Sequence, residues 1–225
     1  MTDSVFGPPY CKIQTLWKRD PSRRNIIIPG EFSVPEHQYL WNNTWRWTEK
    51  IDGTNIRLYW NGRTVTLGGR TDNAQIPAFL SEAIREKNYL DTKIYQEVFG
   101  GAPATIFGEG YGPRIQKGGG LYRSDPDFIV FDVKVGQWWL KPEDVHEIAY
   151  RFQMDTVPLW GVTDLANAWE CVKAGTLEAG SIGTAPLEGL VGTPAVPLFT
   201  RSGERLIVKL KVKDWEDYVR ENGEA

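Results

Sequence analysis

The sequence predicts an α+β protein built on antiparallel sheet. Three observations carry that expectation. Strand-like stretches outnumber helical ones. Helical stretches fall between some of them without the regular rhythm of a parallel α/β fold. Residues 55–70, NIRLYWNGRTVTLGGR, read as a β-hairpin. The 225 residues are 41% hydrophobic and 24% charged, an ordinary globular balance. Ten tryptophans, nine tyrosines and nine phenylalanines supply enough ring area for a sizeable core.

Residues 1–35 carry scattered prolines and the basic stretch KRDPSRR (18–24), and read as a surface arm, with phosphate contact as the lesser alternative. In the hairpin, Asn61-Gly62 is the favoured pair for a two-residue turn. Ile56, Leu58 and Trp60 alternate on one strand, Val65 and Leu67 on the other. A two-residue loop pairs Trp60 with Arg63, Leu58 with Val65 and Ile56 with Leu67. Continued, it sets Gly53 opposite Arg70 unless a bulge at Gly68-Gly69 intervenes.

Residues 77–100 have helical spacing, with Ser81 as a cap for one piece and Gly100 as the stop. ATIFGEGYG (104–112) reads as a strand ending in a glycine-rich turn, and DFIVFDVKV (127–135) as a strand. A helix ends the stretch 137–153, and another covers 163–175 with Thr163 as cap and Gly175 at its end. EGLVGTP (188–194) is strand-like. In ERLIVKLKVKDW (204–215), Leu206, Val208, Leu210 and Val212 share one face, and Lys209, Lys211 and Lys213 the other.

Composition narrows the function. The net charge is −3, so a polyanionic partner must be met by local basic patches. Two cysteines, Cys11 and Cys171, suggest no disulfide framework and have no metal-ligand spacing. His37 and His146 lie far apart, which argues against a histidine-rich metal site. The opening MTDSVFGPPY lacks the apolar core of a signal peptide, and no run is long enough to span a bilayer. A soluble, cytoplasmic protein is expected, with no low-complexity tract or internal repeat.

The candidate functional residues are ordinary one by one. Lys50 alone reads as a surface lysine, Glu109 as a turn acid, Phe131 as core, and Lys209 and Lys211 as the wet face of a strand. Their order and chemistry change the weighing. The series EKIDGTN, GGR, FGEGYG, FIVFDV, EGLV and VKLKVK resembles the motif series of the covalent nucleotidyltransferases: ATP-dependent DNA ligases, RNA ligases and mRNA capping enzymes. The resemblance covers about residues 48–213. TEKIDGTN, continuing with Thr54-Asn55, and GYGPRIQKGG after Glu109 look most like the RNA ligase 2 branch. One departure is Asp52, where that branch usually has histidine.

The resemblance implies an antiparallel-sheet, ATP-grasp-like ligase catalytic domain with flanking helices. It implies that one such domain fills residues 1–225 without an appended OB-fold. It also implies an ATP-dependent RNA ligase that carries AMP on Lys50, passes it to a 5′-phosphate and seals that end to a 3′-hydroxyl. The implied nucleotide-binding residues are Glu49, Ile51, Asn55, Arg70, Glu109, Phe131 and Glu188, with Phe131 stacking on adenine. Asp52, Gly53 and Asp132 are supporting; Asp132 points to the other face of its strand by period two. Glu109 and Glu188 would bind Mg²⁺ or Mn²⁺. The partners would be RNA ends, or DNA or mixed nicks, with a partner protein or dimer in place of a second domain. A minimal DNA ligase, a capping guanylyltransferase and a binding module that has lost catalysis are the alternatives.

Physical chemistry supports the lysine cluster independently. A free lysine, with a pKa of roughly 10.4, is a poor nucleophile near neutral pH. Positive neighbours disfavour its proton. Lys209 and Lys211, two apart on one strand face and so roughly 7 Å from each other, supply that charge and a grip on one phosphate.

Overall fold

The computed structural model describes residues 4–174, 180 and 182–223. In chain order the strands are β1 Gln14–Thr15, β2 Trp17–Asp20, β3 Ile26–Phe32, β4 Trp45–Glu49, β5 Thr54–Trp60, β6 Val65–Gly69 and β7 Ala104–Tyr111. They continue with β8 Asp127–Val135, β9 Trp138–Trp139, β10 Asp155–Thr156, β11 Leu159–Thr163, β12 Gly189–Pro194 and β13 Val208–Lys211. The helices are α1 Pro35–Tyr39, α2 Ala78–Glu86, α3 Thr92–Phe99, α4 Pro142–Arg151, α5 Leu165–Lys173 and α6 Val212–Asn222. The architecture is α+β, as expected. Every strand pairing is antiparallel except β1 with β13 and β8 with β10. No helix among the described residues is long and apolar enough to cross a membrane.

The chain divides into two compact units: residues 1–10 with 52–157, and residues 11–51 with 158–225. The first unit is built on the sheet β10-β8-β7-β5-β6, with β9 beside β8. One face of that sheet carries Ile56, Leu58, Trp60, Ile106, Phe128, Val130 and Val133, and α2, α3 and α4 cover it through Leu80, Ile84, Tyr95, Phe99 and Val145.

The hairpin β5–β6 forms, but in a register two residues away from the expected one. Trp60 pairs with Val65, Leu58 with Leu67 and Ile56 with Gly69. The loop is four residues rather than two, because the Asn61 carboxamide accepts from the N–H groups of Arg63 and Thr64 at 2.9 Å each and ties the turn itself. A shift of two preserves which side chains face the core, since the side-chain period is two. The ladder ends at Ile56 with Gly69; continued by one residue, its register would set Arg70 level with Asn55 instead of Gly53.

The helical stretch 77–100 is two helices. Asn88 adopts a left-handed φ of 59° between them, and the Asp91 carboxylate caps α3 by accepting from Lys93 N–H at 3.0 Å. Ser81 lies inside α2 and caps nothing, whereas Gly100 closes α3 as expected.

On its other face the first sheet is crossed by the N-terminal segment. Val5 O accepts from the Thr66 hydroxyl at 2.7 Å. Arg57, fully buried, donates from Nη1 to Gly7 O, from Nε to Gly69 O and from Nη2 to Asp72, each at 2.8 Å. Those bonds satisfy a guanidinium that would be costly to bury alone. Asp72 is held below the usual carboxylate range, first by the Arg57 hydrogen bond and then by Ser4.

The second unit holds the sheet β1-β13-β12-β4-β11 and the pair β2-β3. Its core gathers Leu16, Trp17, Trp45, Trp47, Trp169, Leu190, Val208 and Leu210. Residues 11–35 are therefore not a surface arm. Apolar residues on both sides of the basic stretch, Leu16 and Trp17 before it, Ile26 and Ile27 after it, are buried. Lys18 and Arg19 stand in β2 and pair with Glu31 and Asp214 respectively, and Arg23 and Arg24 lie in the exposed bend that joins β2 to β3.

The alternating run at 204–215 is a strand only over Val208–Lys211; Leu206 precedes it, and Val212 and Lys213 belong to α6. Asp214 in the first turn of α6 suits the positive end of a helix. The α5 cap is Asp164, not Thr163: its carboxylate accepts from Asn167 N–H at 2.7 Å. Gly175, the expected end of that helix, lies outside the described residues.

The two capping assignments predict different stabilities. Asp164→Ala should destabilise by about 1 kcal/mol, the typical loss for an N-cap. Thr163→Ala should cost clearly less in the same urea-melting series, and equal losses would contradict the cap assignment.

Candidate active site

In the second unit, β12 runs between β4 and β13. Gly189 pairs with Lys211 and Val191 with Lys209 on one side; Leu190 pairs with Glu49 and Val191 with Thr48 on the other. Residues directly opposite in a sheet share a face. Leu190, Leu210 and Glu49 therefore face the core, and both Leu190 and Leu210 pack into it. Lys209 and Lys211 face away, and both are half-buried.

Just past β4, the Lys50 N–H donates to Gly189 O at 2.9 Å. The Lys50 ammonium donates to Glu188 Oε2 at 2.6 Å, and Lys211 Nζ lies 2.7 Å from Glu188 Oε1. One carboxylate is thus clasped by two lysines that the sequence places 161 positions apart. Its own backbone is tied, since Val212 N–H donates to Glu188 O at 3.1 Å. Glu49 and Ile51, the two neighbours of Lys50, are buried.

In the first unit, Asn55 pairs with Glu109 across β5 and β7, and Glu109 with Ile129 across β7 and β8. Asn55 Oδ1 is buried without a hydrogen-bond partner, an unsatisfied acceptor of the kind found where a ligand or water completes a site. Gly53 lies hard against β7: a Cβ there would fall 2.2 Å from Gly110 O and 2.8 Å from Glu109 Cγ. The turn is further held by Asp52 N–H donating to the Tyr122 hydroxyl at 3.1 Å and by Gln116 Nε2 donating to Gly53 O at 2.9 Å. Arg70 is exposed.

Phe131 and Asp132 differ from expectation. Phe107 pairs with Asp132, but Gly108 pairs with Val130, which leaves Phe131 as the extra residue of a β-bulge. The alternation resets there: Phe128 and Val130 face the core before it, Val133 after it. Phe131 and Asp132 consequently leave the core side together, rather than pointing to opposite faces. Both meet Tyr10, whose hydroxyl donates to Asp132 Oδ2 at 2.9 Å and whose ring lies 5.0 Å from that of Phe131.

The structure thus brings Lys50, Glu188 and Lys211 together in one unit, with Lys209 on the same strand face. It brings Gly53, Asn55 and Glu109 together in the other, and Phe131 with Asp132. Arg57, Tyr122 and Tyr10 carry no sequence signal of these contacts. Arg57 sat at a polar position of an alternating strand, and Tyr10 meets a residue 122 positions away with no local signal.

A family model described as RNA ligase matches residues 43–211. The chain belongs to the RNA ligase family. Among solved structures it is similar to a Naegleria gruberi RNA ligase determined with pyrophosphate. That match has a TM-score of 0.66 at 17% identity and covers 97% of this chain and 58% of that one. A variant of the same ligase with AMP and manganese has a TM-score of 0.66 at 17% identity, covering 95% and 59%. Another variant, with ATP and manganese, has 0.66 at 15%, covering 98% and 59%. The chain therefore spans somewhat under three-fifths of the length of those ligases. No curated protein matches it by sequence.

Gly53 offers a test of how tightly the turn is seated. Gly53→Ala should destabilise by about 1–3 kcal/mol, the range for overpacking. Gly101→Ala, where a Cβ would meet nothing within 4 Å, should be near neutral. Equal urea midpoints for the two would show that the turn is not pressed against β7.

Proposed function

We propose that this chain is the nucleotidyltransferase part of an ATP-dependent RNA ligase that works through AMP bound covalently to Lys50. The observation that carries the reading is the clasp of Glu188 by Lys50 and Lys211. Two ammonium groups converge where one small anion is held, the arrangement a transferring phosphoryl group needs.

In this reading the Lys50–Glu188 pair is the resting arrangement. Lys50 leaves it, gives up a proton to solvent, and its neutral nitrogen attacks the α-phosphorus of ATP. An N–P bond forms, the bond from that phosphorus to the bridging oxygen breaks, and pyrophosphate departs. A 5′-phosphate oxygen of an RNA end then displaces Lys50 and takes the AMP. Finally an adjacent 3′-hydroxyl oxygen attacks that 5′-phosphorus and releases its proton to solvent, the phosphodiester forms and AMP leaves. Lys209 and Lys211 hold the α-phosphate. Arg70 meets ribose or phosphate, Asn55 the nucleotide or the end phosphate, Glu109 the ribose or a metal ion, and Phe131 stacks on adenine. Glu49 and Ile51 frame the nucleophile.

Among the described residues no three His, Cys, Asp or Glu side chains converge as a ready metal cage. Glu109 and Glu188 instead suit an ion held mainly by nucleotide phosphates with one or two carboxylates, the usual habit of Mg²⁺. The Naegleria ligase variants solved with manganese and a nucleotide support the use of a divalent ion together with a nucleotide. Such an ion, Mg²⁺ or Mn²⁺, would neutralise charge on the phosphates. Sealing assays on nicks with RNA or DNA on each side separate this reading from a DNA ligase. Activity with and without added protein tests the need for a partner.

With α-labelled ATP and Mg²⁺, label should stay on the denatured protein, and Lys50→Ala should abolish it. Lys209→Ala and Lys211→Ala should fold normally yet lose label formation by roughly 10²–10³, as for one electrostatic contact to a reacting group. Full labelling of the Lys50 variant would move the nucleophile elsewhere. Near-parental rates in both strand variants would make those lysines surface charges.

Phe131→Leu should raise the ATP concentration needed for labelling, since stacking of a base on an aromatic ring is worth roughly 1–3 kcal/mol. An unchanged requirement in a variant of native stability would return Phe131 to a packing role.

A further inference from the structure

The geometry points to Tyr10 as the positioning residue for the base-stacking ring: it holds the Phe131 ring by edge contact and the neighbouring Asp132 by a hydrogen bond. It thereby sets affinity for the adenine nucleotide without touching it. This rests on the reading of Phe131 as the stacking ring.

Phe131 needs such a support. As the extra residue of a bulge it has no partner across the ladder, so the sheet alone does not fix its ring. The ring is only half-buried. Tyr10 meets it at 5.0 Å and 70°, the edge-to-face geometry that aromatic pairs prefer.

Tyr10 is in turn well fixed. Its ring lies 5.1 Å from Phe107 and 5.6 Å from Trp139, the latter at 88°. Its hydroxyl donates to Asp132, a carboxyl only 5% exposed whose other oxygen accepts from Val133 N–H at 3.2 Å. The hydroxyl is engaged with Asp132, and the ring is engaged in packing. Direct chemistry on the nucleotide is therefore not its role. A positioning residue for a base acts on nucleotide affinity rather than on the reacting phosphorus, and that distinction is measurable.

The test compares initial rates of protein–AMP formation against ATP concentration for Tyr10→Phe, Tyr10→Ala and Phe131→Leu. Tyr10→Ala should raise KM for ATP about tenfold, as when a stacking contact is weakened, with the maximal rate within about twofold. Tyr10→Phe keeps the ring and should show a smaller rise of about threefold, and its effect should be non-additive with that of Asp132→Asn if it acts through that bond. Titration of ATP in a Lys50→Ala background, where no chemistry follows, should show the same loss in Kd. Tyr10→Phe preserves the packing volume and keeps the test open should Tyr10→Ala not fold.

If Phe131→Leu raises KM while both Tyr10 variants stay parental, Tyr10 is overturned and the stacking reading stands. If Phe131→Leu itself leaves KM and Kd unchanged, the stacking reading fails first. A fall in maximal rate with unchanged KM would give Tyr10 a merely structural role and overturn the proposal.

Discussion

The clasp of the Glu188 carboxylate between Lys50 and Lys211 is the interaction on which the second unit's cluster of candidate residues depends. Like charges brought close on one sheet repel, and a shared counter-charge relieves this. The three groups are side by side because β12 separates β4 from β13. Lys50 reaches Gly189 through its N–H, and Lys211 faces Gly189 across the next ladder. Half-buried ion pairs contribute modestly to stability, since desolvation offsets the attraction. Their value here is positional. The buried tryptophans Trp45 and Trp47 pack on the core side of β4, so the strand that delivers Lys50 is rigid for reasons unrelated to charge.

How far the sequence revealed this follows from which signals were local. Period-two alternation in VKLK correctly separated the core pair Val208 and Leu210 from the lysine pair. The same alternation overran its limit at Val212, because a helix that begins on a strand's last residue can continue an apolar pattern without a break. The hairpin was visible from Asn61-Gly62, but the turn type was not. The Asn61 side chain makes its own bonds to the loop, and this lengthened the loop by two residues without turning any side chain over.

What escaped was non-local or broke a period. Nothing in FIVFDV announces that Phe131 is unpaired, since a bulge is a relation between two strands. It was the bulge that turned Asp132 to the side of Phe131. The basic stretch 18–24 looked like an arm because charge dominates its centre, while the burial of Trp17 and Ile27 depends on partners far along the chain. Arg57 shows the same limit. An arginine between isoleucine and leucine reads as solvent-facing, and only Gly7 O, Gly69 O and Asp72 make its burial tolerable.

A common device recurs in the two units. Each places an acid beside a close backbone approach that only glycine permits. At Gly53 the turn presses on β7 at Glu109 and Gly110. At Gly189, φ is +155°, and a Cβ would lie 2.0 Å from Leu210 O, so β12 presses on β13 immediately after Glu188. An acid on a long side chain samples many rotamers, and its backbone is the part that a fold can fix most firmly. Removing a Cβ next to, or against, each acid lets two backbones approach closely enough to fix that part. The glycine of Lys50-Ile51-Asp52-Gly53 is therefore explained by Glu109 across the sheet rather than by its neighbour Lys50. This is also why the motif carries little meaning until the FGEGYG strand is read beside it.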